Sequence, residues 1–380
     1  MIILKSTSDF EIKGHKYPDF PLLTWSQTNP TLDIQAGMLF EEGLQFLIYE
    51  CLKRGRVRSQ NTWDTYAKHL SSFFSFCEDN EVDWQNIAED HDSEDEMLLA
   101  VYRDACVDEF NISVNSTNQY LRTIVRFYGY AVGKGWVSSL PYGLESVKAG
   151  SKHSFLAHTV RNGNEAFSPD VIMKTETKRP EFLSSEEVQE LLTAIKNPTL
   201  KLMVRLCLQT GIRRKELLLF PLNSIKKPSG NAKVCKVTIN RTKGEKQRII
   251  HIPTRLMEDL WRYVNELRFQ QQQESEVNSN YLFLTTDGQE WSVEGTGFND
   301  ALKALGLPFR VTPHMLRHTY ATHMLKGLQA QNQSKFEPLM YLQERMGHAS
   351  ITTTMIYLHL VNDLMDDFSL EYQDSINAIA

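Results

Sequence analysis

The chain has 380 residues, of which 41% are hydrophobic and 23% are charged. This length suits two domains with separate cores, and the composition excludes a collagen-like, low-complexity or wholly disordered protein. The first residues lack a basic segment followed by an apolar run, and no stretch approaches the roughly 20 apolar residues that span a bilayer. We therefore expect a cytoplasmic protein that does not insert into membranes. Five scattered cysteines without a CxxC pair argue against a disulfide framework or a zinc site.

Charge is distributed unevenly along the chain, which the net value of -6 conceals. Residues 1–145 carry 12 Lys and Arg against 22 Asp and Glu, whereas residues 146–357 carry 29 against 20. Residues 358–380 carry five acidic residues and no Lys or Arg. The acidic total therefore does not exclude a nucleic-acid partner, because the middle of the chain is basic.

The first half of the chain divides by pattern into three parts. Residues 1–34 mix short apolar runs with Gly and Pro, which predicts an extended segment or small strands. Residues 35–147 show apolar side chains at 3- and 4-residue spacing, which predicts a small helical bundle. Residues 148–178 show no sustained period and contain several Gly and Ser, which indicates a linker. The stripes that predict the bundle are Trp63, Tyr66, Ala67, Leu70, Phe73, Phe74 and Cys77, and Tyr120, Leu121, Ile124, Val125, Tyr128 and Ala131. We assign these aromatic side chains to the core rather than to nucleotide contacts.

Residues 179–357 are expected to form a second, mostly α domain that contains a β-hairpin. Ser184 followed by Glu187 is a capping-box pattern and predicts the start of a helix. Residues 233–239 and 248–252 alternate like strands around a turn-rich, basic segment, which is typical of a hairpin. Further elements are predicted as helices at 200–209 and 254–273, a strand-like segment at 281–284, and additional helices toward the C-terminus.

Four segments of this basic region hold residues suited to one reaction. They are Arg213 in Thr210-Gly-Ile-Arg-Arg-Lys-Glu-Leu, Lys243 in the hairpin turn, His314 and Arg317 in His-Met-Leu-Arg, and His348 in Met-Gly-His with Tyr357 nine residues later. Attack on a phosphodiester creates a five-coordinate phosphorus with extra negative charge, which two guanidinium groups can stabilise. A phenol can act as the nucleophile, and a lysine can protonate the leaving 5′-oxygen. Because one ester replaces another, neither ATP nor a metal is needed.

The same segments resemble the tyrosine recombinases, also called the phage integrase family. The resemblance spans roughly residues 36–375 and rests on four motifs in the same order: T-G-[LM]-R-x-x-E-L, a hairpin lysine, H-x-x-R, and L-G-H followed by a tyrosine. It implies a catalytic set without metal or cofactor, with Glu216 as a partner of the arginines: Arg213, Lys243, His314, Arg317, His348 and Tyr357. The implied fold is mostly α. It combines a helical, SAM-like core-binding bundle with an α+β catalytic domain, and the two form a C-shaped clamp on double-stranded DNA.

The function implied by this resemblance is that of a site-specific DNA recombinase, or integrase. Such an enzyme cuts and rejoins strands through a 3′-phosphotyrosyl intermediate. We expect a monomer or weak oligomer in solution and a tetramer on two DNA sites, associated with the nucleoid when DNA is bound. Residues 358–380 are predicted to form an amphipathic helix that docks on a neighbouring subunit. The alternatives are a type IB topoisomerase-like relaxer and a catalytically silent DNA-binding regulator.

Several assignments stay open at the level of sequence. Arg214 adjoins Arg213, so the catalytic arginine is either of the two, although the spacing from the glycine favours Arg213. Lys243 is preferred over Lys246, since either lysine can be a plain phosphate contact. His318 is interpreted as a buried helix residue without a catalytic role. The remaining charges of the hairpin are interpreted as solvated or phosphate-contacting, namely Arg241, Lys246 and Arg248.

Overall fold

The computed structural model shows two separate units, Met1–Thr177 and Lys178–Ala380. Each unit has its own hydrophobic core. The structure describes residues 1–30, 33–54, 59–85, 97–148, 165–175, 179–239, 247–275, 277–330, 337–348, 350–358 and 360–361. Within these ranges, no helix combines the length and the apolar character needed to cross a membrane.

The N-terminal segment forms short strands, as the sequence predicts, and the last of these strands with its flanking residues contributes to the core of the first unit. The strands are β1 (Ile2–Lys5), β2 (Glu11–Ile12), β3 (His15–Lys16) and β4 (Pro21–Thr24), paired antiparallel as β1 with β4 and β2 with β3. Phe20, Leu23 and Trp25 are buried in the same cluster as the helices that follow. Burying a large apolar side chain contributes about 1.5–3 kcal/mol, so this segment stabilises the first unit.

A helical bundle follows, which confirms the predicted class of this region. Its helices are α1 (Glu41–Leu47), α2 (Gln60–Asp79), α3 (Leu98–Asp104) and α4 (Val114–Lys134), with π-helical turns at Ile48–Lys53 and Ala105–Glu109. The second apolar stripe of the sequence lies on α4, whose start is capped by the Ser113 side chain. Gly135 ends α4 in the left-handed conformation, with φ 71°. Most of the two predicted stripes is buried, which confirms their assignment to the core.

The range interpreted as a linker differs from expectation in its described part. Two strands, β5 (Leu144–Lys148) and β6 (Glu165–Pro169), pair antiparallel, with Leu144 opposite Pro169. The Asn118 side chain of α4 also exchanges hydrogen bonds with the backbone of Met173, at 2.8 and 3.0 Å. These contacts join residues 165–173 to the first unit. The sequence does not reveal them because a five-residue strand becomes recognisable only once its partner strand is known.

The second unit contains the elements predicted for it, with some different boundaries. In chain order they are α5 (Ser185–Ala194), α6 (Pro198–Thr210), α7 (Arg214–Leu218), a 3-10 turn (Leu222–Ser224), β7 (Val234–Ile239), β8 (Arg248–Pro253), α8 (Thr254–Asn265), α9 (Leu267–Ser275), α10 (Gly297–Lys303), α11 (Pro313–Ala330) and α12 (Pro338–Met346). Residues 351–358 form a further helix, α13. The capping box of Ser184 and Glu187 starts α5 as predicted.

The hairpin of β7 and β8 is confirmed and carries one apolar face. Ile239 lies opposite Arg248 at the turn end of the hairpin. Val237, Ile250 and Ile252 are buried in the main cluster of the second unit. The helices α6 and α8 pack against β8. This packing fixes β8, and with it Arg248 at its first position.

The predicted helix over 254–273 is divided into α8 and α9 at Glu266. Just after the break lies Arg268, which is only 2% exposed. Its guanidinium donates hydrogen bonds to the backbone carbonyls of Ser279, Tyr281 and Leu282 at 2.8–3.2 Å. Leu282 and the residue after it are thereby held in the core. The predicted strand is replaced by isolated bridges at Tyr281 and Leu284. The apolar pattern of residues 254–273 does not reveal these hydrogen bonds, because the carbonyls that accept them lie farther along the chain.

A third cluster of buried residues joins α11, α12, α13 and the start of the tail. Tyr357, Leu360 and Val361 belong to this cluster and are at most 6% exposed. The first apolar residues of the tail therefore pack against their own unit, and docking of the tail on a neighbouring subunit stays a prediction. The predicted docking of the remaining tail lies outside the described residues.

Candidate active site

A glycine turn and a buried carboxylate position the first arginine. Gly211 ends α6 with φ 61°, a conformation that favours glycine, and a Cβ there would lie 2.4 Å from the Tyr320 ring. The chain then re-enters a helix at α7, where Glu216 accepts hydrogen bonds from the backbone N–H of Arg213 at 3.0 Å and from its Nη1 at 2.8 Å. Arg213 Nη2 also donates to the carbonyl of Gly347 at 2.8 Å.

The same carboxylate pairs with a second arginine from the hairpin. Arg248 Nη2 lies 2.8 Å from Glu216 Oε2, and both side chains are almost fully buried. Arg248 Nη1 donates to the carbonyl of Arg345 at 3.0 Å. The interpretation of Arg248 as a solvated charge of the hairpin is therefore wrong, because the side chain points into the unit and meets Glu216. The alternative, that Arg248 contacts a phosphate, stays a prediction.

Arg317 is the most enclosed cation of the site, with 5% exposure. It extends from α11 to the ends of two other helices, where it donates to the carbonyls of Gly211 and Met346, the latter at 2.6 Å. Helix C-termini carry partial negative charge, so they suit a guanidinium. Burial, together with the positive charges of Arg213 and Arg248, lowers the pKa of Arg317 to about 9.

The arginine cluster, Arg213, Arg248 and Arg317, carries more positive charge than the one carboxylate described beside it can neutralise. Three guanidinium groups meet one described acid, Glu216, which leaves two positive charges in a largely buried place. Arg248 Nε and Nη2 also find no aligned acceptor among the described residues. Buried charge without a counter-charge is costly, so this arrangement favours an anion beside the cluster.

His348 follows the C-terminus of α12 and contacts the arginine cluster. Gly347, with φ 61°, turns the chain there, and His348 Nε2 lies 3.3 Å from Arg317 Nη2. Since arginine can only donate, Nε2 acts as the acceptor, and Nδ1 carries the proton that is donated to Thr354 Oγ1 at 2.9 Å. Burial and the neighbouring arginines lower the pKa of His348 to about 4, so this imidazole is neutral at neutral pH.

Tyr357 lies on α13 beside two histidines. Its ring stacks on the His348 ring with a centroid distance of 6.2 Å and an angle of 9°. Its Oη lies 2.8 Å from Nδ1 of His318. Tyr357 is 2% exposed, and burial raises its pKa, an effect that Arg317 partly offsets. His318 lies on α11 and is half-buried, close to the prediction, but its direct contact with the tyrosine was not predicted.

The structure brings together five of the six residues that the resemblance implies as catalytic. Arg213, Arg317, His348 and Tyr357 lie as described above, and His314 lies one turn before His318 with its ring at 6.2 Å. Lys243, its alternative Lys246 and the hairpin charge Arg241 lie outside the described residues. Arg214 turns away from the cluster and donates to the carbonyl of Gly295, so the placement favours Arg213.

Sequence reasoning assigned no catalytic role to two residues that the structure places at the site, Arg248 and His318. Arg248 is the first residue of β8, and the alternation of that strand places it on the buried face with Ile250. His318 directly follows Arg317, and one step of about 100° along a helix is enough to bring it to a different neighbour. In both cases the contact depends on which element packs opposite, and the pattern contains no information about that.

The first unit has a basic, aromatic groove of its own. Two glycines one turn apart, Gly129 and Gly133, leave space on α4, since a Cβ at either position would meet nothing within 4 Å. The groove is lined by four cations, by one carboxylate that pairs with Arg54, and by two tyrosines whose rings stack at 4.7 Å. These residues are Lys53, Arg54, Arg126, Lys134, Glu50, Tyr49 and Tyr130. Such a combination of charge and ring faces suits a phosphate backbone.

Comparison with known proteins gives matches across both units. The phage integrase family model matches residues 181–363, and the model of the phage integrase N-terminal SAM-like domain matches residues 45–135. Tyrosine recombinase XerC of Anoxybacillus flavithermus is 26% identical over 332 residues, covering 83% of this chain and 93% of that protein. Tyrosine recombinase XerD of Rickettsia bellii is 26% identical over 327 residues, with the same coverage.

Solved structures show the same fold. The XerH site-specific recombinase bound to palindromic difH substrate matches with a TM-score of 0.59 and 19% identity, covering 87% of this chain and 95% of that one. The Tn1549 transposon integrase in complex with circular intermediate DNA matches with a TM-score of 0.53 and 19% identity, covering 83% and 94%. These structures show a mostly helical fold. The family models and the curated relatives show that the protein is a DNA strand-transferring enzyme. It belongs to the phage integrase family of tyrosine recombinases.

Proposed function

We propose that this protein cuts and rejoins DNA strands at specific sites through a covalent bond between Tyr357 and a DNA 3′-phosphate. The observation that carries the proposal is the arginine cluster with its uncompensated positive charge beside Tyr357. A phosphodiester is an anion whose oxygens can accept hydrogen bonds from several guanidinium groups at once. Double-stranded DNA is therefore the proposed substrate, and the groove on α4 is proposed to contact its backbone.

In this mechanism, the arginine cluster binds the phosphate and stabilises the transition state. Glu216 accepts a hydrogen bond from Arg213, and helix-end carbonyls accept hydrogen bonds from Arg317. Both guanidinium groups are therefore already in position when charge develops on phosphorus. Arg248 adds its charge to the cluster through the shared carboxylate. Hydrogen bonds with Thr354 and Arg317 fix the His348 ring beside the arginine cluster.

Bond exchange then requires a nucleophile and a proton for the leaving group. The Tyr357 Oη attacks phosphorus, the bond from phosphorus to the 5′-oxygen breaks, and the energy of the ester is kept in the phosphotyrosyl bond. Lys243 is proposed as the general acid that protonates the 5′-oxygen. Rejoining runs the same steps in reverse with a 5′-hydroxyl from either strand, so the exchange needs no ATP and no metal.

Assembly of a tetramer on two DNA sites is part of the proposal.

The test is a cleavage assay with a nicked duplex, selected for binding from random sequences, in excess EDTA and without nucleotide. We expect a protein–DNA adduct that resists denaturation, together with a free 5′-hydroxyl fragment that diffuses from the nick. The linkage should be to the 3′-phosphate, because the cluster is proposed to present the phosphate to Tyr357. Adduct formation that needs Mg²⁺, or a free 3′-hydroxyl at the cut, would contradict the mechanism.

A further inference from the structure

The contact between His318 and Tyr357 identifies a group that can receive the phenolic proton. Oη of Tyr357 and Nδ1 of His318 are 2.8 Å apart, and their ring centroids are 5.7 Å apart. The two residues come from different helices, α11 and α13, so the hydrogen bond is a product of tertiary packing. No other described titratable side chain has an atom at hydrogen-bond distance from Oη.

The protonation states favour the phenol as the donor. Burial and the neighbours His314 and Arg317 lower the pKa of His318 to about 4, so its imidazole is neutral at neutral pH. Burial raises the pKa of Tyr357, so its phenol keeps the proton. An imidazole nitrogen accepts a hydrogen bond more readily than a phenol oxygen, and a phenol donates readily. The favoured arrangement therefore has Oη–H donating to Nδ1, with the imidazole proton on Nε2.

Two other bases of the site, Glu216 and His348, are occupied or misdirected. Both oxygens of Glu216 are held by Arg213 and Arg248. His348 accepts from Arg317 through Nε2, donates through Nδ1, and presents its ring face to Tyr357. Ring nitrogens direct their lone pairs in the ring plane, so the stacked His348 is poorly placed to take a proton from Oη.

We propose that His318 is the general base that accepts the proton of Tyr357 through Nδ1 as Oη attacks the phosphate. This inference rests on the proposed function. The Oη–H bond breaks and the proton moves to Nδ1, while the Oη–P bond forms and the P–O5′ bond breaks. The 5′-oxygen takes its proton from the general acid. On rejoining, the imidazolium returns the proton to Oη as the phosphotyrosyl bond breaks.

In this proposal, bound DNA makes His318 a stronger base than it is in the free protein. The groups that face His318 are His314 and Arg317 on its own helix, His348 after α12, and Tyr357 on α13. In the free protein these neighbours add no negative charge, so proton transfer to His318 is unfavourable. A phosphate bound by the arginines brings a negative charge, which raises the pKa of His318. Activation of the nucleophile therefore depends on bound substrate.

The test compares His318→Asn with the wild type in single-turnover cleavage of the nicked duplex. Asparagine places an amide near the position of Nδ1 and keeps a hydrogen-bond partner for Tyr357, but it cannot take a proton. We expect a loss of about 10²–10⁴-fold in rate with unchanged DNA affinity. The wild-type rate should level off above the pKa of His318 in the complex, while the variant rate keeps rising with pH as the phenol ionises. His323→Asn is the matched control, since His323 also lies on α11 but contacts the carbonyl of Leu183.

A second measurement separates proton transfer from mere positioning. Incorporation of a fluorotyrosine at position 357 lowers the phenol pKa, so it should restore much of the rate of His318→Asn and change the wild type little. A rate for His318→Asn within a few-fold of wild type overturns the proposal. A loss that neither high pH nor fluorotyrosine restores also overturns it and assigns His318 a positioning role.

Folding and the underlying function are checked separately. If His318→Asn fails to fold, as judged by circular dichroism, His318→Gln takes its place under the same criteria. If wild-type protein forms no adduct, the proposed function fails and this inference fails with it. If wild type and His323→Asn form the adduct normally, the result for position 318 bears on His318 alone.

Discussion

Arg317→Lys should lower the rate of strand cleavage by about 10²–10³-fold or more, with DNA affinity changed only slightly. Removal of one preorganised donor from a transition-state site costs about 2.7–4 kcal/mol. Lysine keeps the positive charge but is a point donor, so it cannot serve the carbonyls of Gly211 and Met346 and a phosphate at the same time. The measurement is single-turnover cleavage at saturating DNA, with affinity determined separately.

A matched control for this change is Arg262→Lys. Arg262 lies on α8 of the same unit, and its side chain is 63% exposed. This control should cleave at the wild-type rate. If Arg317→Lys also cleaved within a few-fold of wild type, Arg317 would serve the fold alone, and the arginine cluster would lose its proposed catalytic part.

Glu216→Gln should destabilise the second unit and also weaken cleavage. The carboxylate is 2% exposed and is shared by Arg213 and by Arg248, whose side chain is 7% exposed. Removing one partner of a buried ion pair leaves the other charge uncompensated and costs about 3–5 kcal/mol. The free energy of unfolding of the second unit, measured by urea denaturation, should fall by roughly this amount.

This substitution has a further, specific signature. Bound DNA supplies negative charge to the same arginines, so DNA should recover part of the lost stability. Glu258→Gln, an exposed position on α8, is the control and should change neither quantity. Equal stability of Glu216→Gln and wild type would show that Glu216 does not anchor the arginines.

Much of the fold could be predicted because its signals are local. The capping box at Ser184, the stripe on α4 and the alternation of β7 and β8 each depend on a few neighbouring residues. The pairing of β5 with β6 and the carbonyl contacts of Arg268 depend on residues far away in sequence, which local patterns do not encode. These are the places where the structure departs from the predicted boundaries.

The site residues, too, could be predicted only where the signal lies within one segment of the sequence. Motif spacing located Arg317, His348 and Tyr357 along the chain, because each motif is a short segment of sequence. The roles of Arg248 and His318 depend on packing between elements, with Glu216 and with Tyr357 respectively. A buried pair of this kind becomes visible only after the elements have been assembled.

The central claim is that Tyr357 forms the covalent bond to DNA, and one measurement tests it most directly. The nicked duplex is incubated with wild type, with Tyr357→Phe and with Tyr341→Phe, a control on α12. The DNA-linked peptide is then identified by mass spectrometry. We expect a phosphotyrosyl linkage at Tyr357 in the wild type and the control, and DNA binding without any adduct in Tyr357→Phe. An adduct formed by Tyr357→Phe, or a linkage to another residue, would contradict the account.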